Sequence, residues 1–197
     1  VSSIATSAVV VLIALYLQAA KGLTPFAAGL HLLPLAAVKI VTSLSVGFLT
    51  ARMTNRATAV IGSVTLSLGL LTLMAAVRLG GATALITAGL MIMGAGSGIF
   101  QPANAAAMLE GVPSSRLGRV NAIRLTLQGS AGVIGTSLAL ALLMAPLGAE
   151  LQRAVFEGTA HELGGAAIDE LTTGFALALT VMTVVSWAAV TMSNISR

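Results

Sequence analysis

The composition of this 197-residue chain excludes a water-soluble domain. Hydrophobic residues make up 57 % of it and charged residues 8 %, with a mean hydropathy of +1.01, whereas soluble domains carry about 25 % charged residues. The net charge of +4 comes from bases scattered over short loops, so no nucleic-acid partner is expected. Cysteine is absent, which excludes disulfides and zinc clusters, and we predict no metal site.

Uncharged stretches between the charged residues predict an all-α membrane protein with six transmembrane helices. A spanning helix needs about 20 mostly apolar residues, and in lipid its backbone groups must be satisfied within the helix. The predicted spans are approximately 1–19, 27–50, 57–77, 82–109, 118–145 and 171–194. Residues 146–170, which hold five of the six acids, are predicted to form one long loop. Because the chain starts at Val1 inside an apolar stretch, we expect residues 1–197 to be one six-helix unit of a longer protein.

The distribution of Lys and Arg between the loops predicts the orientation of these spans. One side of the membrane collects six bases, which are Arg52, Arg56, Arg116, Arg119, Arg124 and Arg197. The other side collects Lys21, Arg78 and Arg153. The positive-inside rule therefore places both chain ends in the cytoplasm and the 146–170 loop outside, in a multi-pass protein of the plasma (inner) membrane.

Lys39 is the charged residue predicted to lie nearest the middle of a span, roughly 15 Å from either end. An ammonium at that depth is costly unless it faces a cavity or a partner. One interpretation is a cavity-lining cation that contacts substrate or pairs with an acid. The other is a side chain that snorkels or bonds backbone carbonyls. No acid of this chain falls within a predicted span, so an acidic partner would have to come from elsewhere.

The fourth predicted span ends in a polar patch. Gln101 and Asn104 are three residues apart and share a helical face, and Pro102 frees a carbonyl one turn earlier. Such a patch at a broken helix is one way to build a transport site. Hydrogen bonding between neighbouring helices explains the same residues without a ligand.

The fifth predicted span carries a polar stripe that starts at Asn121. Arg124 and Gln128 follow it at +3 and +4, and Gly132 and Gly135 continue the same side of the helix. The stripe suits a helix that faces a water-filled path. The alternative for Arg124 is that it snorkels to the cytoplasmic interface.

Other positions predict packing. Gly94 and Gly98 form a small-xxx-small pair typical of closely packed membrane helices, and Pro34 predicts a kink in the second span. The third and sixth spans contain no ionisable residue in their interiors, which predicts lipid-facing supporting helices.

Three groups of residues resemble the drug:proton antiporters of the major facilitator superfamily, in their fourteen-span branch. Residues 16–18, 22–25 and 28–36 resemble the segment entering the C-terminal six-helix half. Residues 47–56 are similar to the cytoplasmic loop motif G-x-L-A-D-R-x-G-R-K, with matches at Gly47, Leu49, Arg52 and Arg56, whereas Ala51 replaces the Asp. The fourth and fifth predicted spans, with the turn between them, follow the family's pattern for these two helices. The matching residues are Gly94, Gly96, Gly98, Pro102, Val112, Pro113, Gly118, Gly132 and Gly135.

The resemblance implies one half of a major facilitator fold, whose first, second, fourth and fifth helices line a substrate cavity. Those helices carry Lys39, Gln101, Asn104, Arg124 and Gln128. It implies proton-coupled efflux of drugs or other small hydrophobic or cationic compounds by alternating access. The proton gradient would supply the energy, with no bound cofactor. The implied partners are the lipid bilayer, the N-terminal transmembrane half and a small-molecule substrate.

Other functions stay open at this point. A metabolite transporter of the same fold is one alternative, and a six-span channel or a structural membrane subunit is another. An enzyme is not expected, because the predicted spans hold neither a paired Ser and His nor two Asp.

Overall fold

In the computed structural model of the protein, the described residues are 2–80 and 82–195, with side chains described for 6–80, 82–160, 163–164 and 166–184. Apart from short turns, this part of the chain is helical, as predicted. Its elements are α1 (Ser2–Ala19), α2 (Pro25–Thr50), α3 (Asn55–Arg78), α4 (Thr83–Leu109), α5 (Ser114–Met144), α6 (Ala149–Glu157), a 3₁₀ turn (Ala160–Leu163) and α7 (Gly165–Ile195). The terminal residues 1 and 197, predicted to be cytoplasmic, lie outside the described residues.

Five of the described helices are long and apolar enough to cross a membrane. These are α2, α3, α4, α5 and residues 166–184 of α7. The first helix contributes a shorter apolar stretch, Thr6–Ala19, within the residues whose side chains are described. The result is an all-helical membrane protein.

Local signals set the turn between α2 and α3. Thr54 caps α3, because its hydroxyl accepts a hydrogen bond from the Ala57 amide at 3.2 Å. Such a bond satisfies one of the free amides of the first turn. Residues 51–54 therefore form a tight turn, and α2 and α3 pass through the bundle in opposite directions.

Neither internal proline interrupts its helix. α2 continues through Pro34, and α4 continues through Pro102 as far as Leu109. The broken helix expected at Pro102 is therefore wrong; membrane helices tolerate proline where neighbouring helices and small adjustments satisfy the freed backbone groups. A bend within a continuous helix stays a prediction at both positions.

The pattern of helix neighbours repeats in the two halves of the bundle, although α3 and α4 pack together far more extensively than α1 and α7. α4 lies between α3 and α2, while α1 lies between α7 and α5. If α1 is matched with α4, α2 with α5 and α3 with α7, each of these neighbouring pairs corresponds to another neighbouring pair. Folds built from two inverted three-helix repeats show this correspondence. Between α1 and α7 the rings of Tyr16 and Phe175 meet edge to face, with centroids 5.2 Å apart.

Glycines bring the backbone of α4 against both of its neighbours. A Cβ added at Gly96 would lie 2.5 Å from the Cα of Leu66 in α3, and one at Gly94 would lie 2.5 Å from the carbonyl oxygen of Leu35 in α2. No side chain larger than hydrogen fits at those separations. α3 is consequently packed on one side, although its outer side exposes Ile61 and Leu68.

The segment 146–170, predicted to be a loop, holds α6, the 3₁₀ turn and the start of α7. α6 forms because one side of it is apolar: Leu151, Ala154 and Val155 are buried. Gln152 fastens it to the end of α5, donating from Nε2 to the carbonyl oxygens of Met144 (3.2 Å) and Leu147 (2.9 Å). The loop prediction was wrong because it rested on charge content and not on apolar spacing.

Candidate functional site

A cavity of about 710 Å³ lies among four helices, α1, α2, α4 and α5. α1 contributes Thr6 and Ser7, α2 contributes Lys39 and α4 contributes Gln101. The rest of the lining comes from α5, through Leu125, Gln128, Gly129, Gly132, Val133, Thr136 and Ser137. The same four helices are the ones that the resemblance implied for a cavity.

Lys39 is held in the cavity wall through its backbone. Gly98 of α4 packs against it, with a hypothetical Cβ at 98 only 2.5 Å from the Lys39 carbonyl oxygen. Thr42, one turn further, donates its hydroxyl to the carbonyls of Val38 (2.8 Å) and Lys39 (3.2 Å). The side chain of Lys39 is half-buried, and within the described part of the chain its Nζ makes no hydrogen bond or ion pair.

Arg124 is bonded along its own helix. Its Nε and Nη2 donate to Oδ1 of Asn121 at 3.1 and 2.9 Å, and its Nη1 donates to Oε1 of Gln128 at 3.3 Å. Spacings of three and four residues place these side chains side by side. Arg124 thus lies one turn from the cavity and reaches it through Gln128.

The acids whose side chains are described lie at the ends of the bundle. Each is exposed to solvent, and they are Glu110, Glu150, Glu157, Asp169 and Glu170. Lys39 is the charged residue that lines the cavity. The cavity therefore has positive polarity, as far as the described side chains define it.

Not every predicted site residue lies in the cavity wall. Lys39, Gln101 and Gln128 line it together, whereas Arg124 contributes only through Gln128. Asn104 points elsewhere, and its Nδ2 donates to Sδ of Met108 at 3.6 Å. The polar patch of α4 is therefore divided between the cavity and the helix surface.

The glycines of the predicted stripe and the loop motif take separate positions. Gly132 lines the cavity near Ser7, and Gly135 is buried within the bundle. Gly47 and Leu49 lie in the last turn of α2, and the exposed side chains of Arg52 and Arg56 follow at the turn into α3. The loop motif is thus a separate feature from the cavity.

Four hydroxyl residues of the cavity wall were missed from the sequence. Thr136 and Ser137 continue the α5 stripe beyond Gln128 and Gly132, and the spacing of 128, 132 and 136 could have identified Thr136. Thr6 and Ser7 precede the apolar run of α1 and carried no comparable signal.

Comparison with known proteins agrees with this architecture. A family model described as Major Facilitator Superfamily matches residues 1–157, from α1 through α6. No curated protein matches significantly. The match includes every residue of the cavity wall. It confirms the predictions of a multi-pass membrane protein of a transporter family and of a chain that is not an enzyme. The chain belongs to the Major Facilitator Superfamily of secondary transporters.

Proposed function

We propose that this chain is the C-terminal six-helix half of a proton-coupled exporter of small, largely apolar compounds. The residues that line its cavity would form this half's side of the substrate site. The observation that carries the proposal is the cavity itself, which combines Lys39, Gln101, Gln128 and four hydroxyl side chains with the apolar surface of Leu125 and Val133. Small-molecule sites pair apolar surface with placed polar groups that orient the ligand.

The exposed surfaces of α2 and α5 support a second bundle opposite the cavity. α2 leaves Leu44 and Phe48 exposed, and α5 leaves Leu127, Val133 and Ile134 exposed. Both helices also line the cavity. A partner bundle covering these helices would close the cavity into a central site, and rocking of the two bundles would open it to either side.

Proton coupling would depend on the other half. Transporters move protons through acids placed within the membrane, and the described acids of this chain all lie at helix ends or beyond them. We therefore propose that the proton-carrying acid belongs to the N-terminal half, and that this half lies in the same plasma-membrane transporter.

Filling the cavity tests the proposal. A Cβ at Gly129 meets no atom within 4 Å, so Gly129→Leu should project into the cavity without disturbing the backbone. In inverted membrane vesicles that carry the complete transporter, we expect uptake of a lipophilic dye driven by a pH gradient to fall at least tenfold. Misplacing a bound substrate by 1 Å can cost about a hundredfold.

The matched control is Gly118→Leu, on the same helix, exposed and equally open, but outside the cavity wall. It should transport like the wild type. Unchanged uptake in Gly129→Leu would contradict the cavity's role. Uptake that persists after a protonophore collapses the gradient would contradict proton coupling.

A metabolite transporter is the second candidate, because the described cavity wall contains no aromatic side chain. Polyspecific drug sites favour apolar and aromatic walls. Uptake limited to one polar compound among a panel of dyes and metabolites would favour this candidate. Uptake that never exceeds the external concentration would instead favour a channel or a structural subunit.

A further inference from the structure

The charge of the cavity wall restricts what it can bind. Lys39 is the ionisable residue of the wall. Glu110, the acid nearest to Gln101 along α4, lies beyond the end of the helix, roughly 13 Å away by helical rise. Like charges repel strongly where water is scarce. A cationic compound in this cavity would meet Lys39 without a described counter-ion.

Gln128 adds hydrogen-bond donors to the same wall. Its Oε1 accepts from Nη1 of Arg124 at 3.3 Å, which turns the Nε2 end of the amide away from that bond. In the described structure Nε2 makes no hydrogen bond. A carboxamide whose oxygen is already engaged offers two N–H donors. The cation of Arg124 therefore orients the amide and strengthens it as a donor.

The lining thus offers unsatisfied donors: three on the ammonium of Lys39 and two on the amide of Gln128. Leu125 and Val133 supply apolar surface beside them. An oxyanion is the chemical group that satisfies such donors, and hydrogen bonds between charged groups are about twice as strong as neutral ones.

We infer that the cavity recognises amphiphilic monoanions, compounds with an apolar body and one carboxylate or sulfonate, through Lys39, with Gln128 as a second donor. This inference rests on the proposed function, because it names the substrate class of the proposed site.

One rival role for Lys39 predicts a different result. If the ammonium pairs with an acid of the N-terminal half, it is neutralised and cannot select a charged substrate. Removing it would then weaken every ligand alike. The substrate role instead predicts an effect confined to anions.

Three fluorescent probes that differ mainly in charge separate these roles. They are dansylglycine, an anion; dansylglycine methyl ester, which is neutral; and dansyl ethylenediamine, a cation. Binding to the complete transporter, purified in detergent, is followed by dansyl fluorescence. We expect the wild type to bind the anion at least about tenfold more tightly than the ester, the scale of a hydrogen bond to a charged group. The cation should bind most weakly.

Substitutions at Lys39 test whether this residue causes the preference for the anion. Lys39→Gln should lower the affinity for the anion to about that for the ester, whereas Lys39→Arg should retain most of the preference for the anion. Lys21→Gln is the matched control, because it removes the same charge at the outer end of the bundle, where Lys21 donates to the Gly80 carbonyl at 3.0 Å.

Equal affinity of the wild type for anion and ester would overturn the inference, as would a preference that survives Lys39→Gln. Loss of all three probes in Lys39→Gln would overturn it in favour of an internal ion pair. The proposed function is measured separately, by vesicle uptake of the ester. Uptake without anion preference contradicts the inference alone, and anion preference without uptake contradicts the proposed function alone.

Discussion

Gly98 of α4 lies so close to Lys39 of α2 that the two helices touch through backbone atoms. A Cβ at residue 98 would lie 2.5 Å from the Lys39 carbonyl oxygen and 3.1 Å from the Lys39 Cα. The contact fixes the position from which the lysine side chain enters the cavity wall. A glycine of α4 thereby helps to position the charged residue of the cavity wall.

Gly98→Ala should destabilise the transporter and weaken its cavity. The added methyl meets backbone and the Thr42 hydroxyl, and overpacking of this kind costs about 1–3 kcal/mol. That exceeds the helix-propensity gain of alanine over glycine, roughly 1 kcal/mol. We expect a lower thermal midpoint in detergent and reduced dye uptake.

The control is Gly29→Ala in α2, where an added Cβ meets no atom within 4 Å. It should match or slightly exceed the wild-type midpoint. If Gly98→Ala melts at the same temperature as Gly29→Ala, the close contact does not contribute to stability.

Much of the helical layout could be predicted from the sequence. The charged residues that interrupt the apolar stretches, such as Lys21, Arg78 and Glu110, fall at or just beyond helix ends. Charged groups avoid the bilayer interior, so their positions limit where spans end. The same reasoning failed for α6, since amphipathic helices outside the membrane carry charge on one side.

The cavity was predictable only in part. Polar residues within the spans pointed to Lys39, Gln101 and Gln128, because such residues are rare at depth. Spacing alone could not show that Asn104 points away from the cavity while Gln101 lines it. That difference depends on how α4 is rotated against its neighbours, and backbone contacts such as Gly98 with Lys39 hold that rotation.

The hydrogen bond between Arg124 and Gln128 predicts coupled effects. Arg124→Leu and Gln128→Leu each remove it, so the double variant should lose less thermal stability than the sum of the single variants. A coupling of about 1 kcal/mol is typical of directly bonded side chains. Unfolding of all four proteins in detergent measures it.

Arg116→Leu, an exposed arginine near the start of the same helix, serves as the control partner for Gln128→Leu. Its effect should add to that of Gln128→Leu within error. Additive losses for Arg124 and Gln128 would show that the observed bond makes no energetic contribution.

Gln152 should control how firmly α6 is attached. Gln152→Leu leaves the carbonyls of Met144 and Leu147 without their side-chain donor, at a cost of about 1 kcal/mol. Local opening should then expose the backbone at Arg153. Trypsin cleavage there should accelerate roughly fivefold, the factor that corresponds to this energy when opening and closing are fast relative to cleavage.

Glu157→Leu changes an exposed residue of the same helix and should leave the cleavage rate unchanged. Equal rates for the Gln152 and Glu157 variants would mean that the two hydrogen bonds do not hold α6 in place.

The predicted topology places the turn after α2 and the end of α6 on opposite sides of the membrane. The chain has no cysteine, so a single introduced cysteine has no native cysteine of this chain competing with it for the label. Met53 and Glu157 are suitable sites because both side chains are exposed, whereas Ala160 is only 1 % exposed and would resist labelling. In intact cells a membrane-impermeant maleimide should label Glu157→Cys and leave Met53→Cys unmodified until the membrane is permeabilised.

Labelling in the reverse order would invert the orientation inferred from the Lys and Arg bias. Labelling of both sites in intact cells would contradict the odd number of crossings between them that α3, α4 and α5 require.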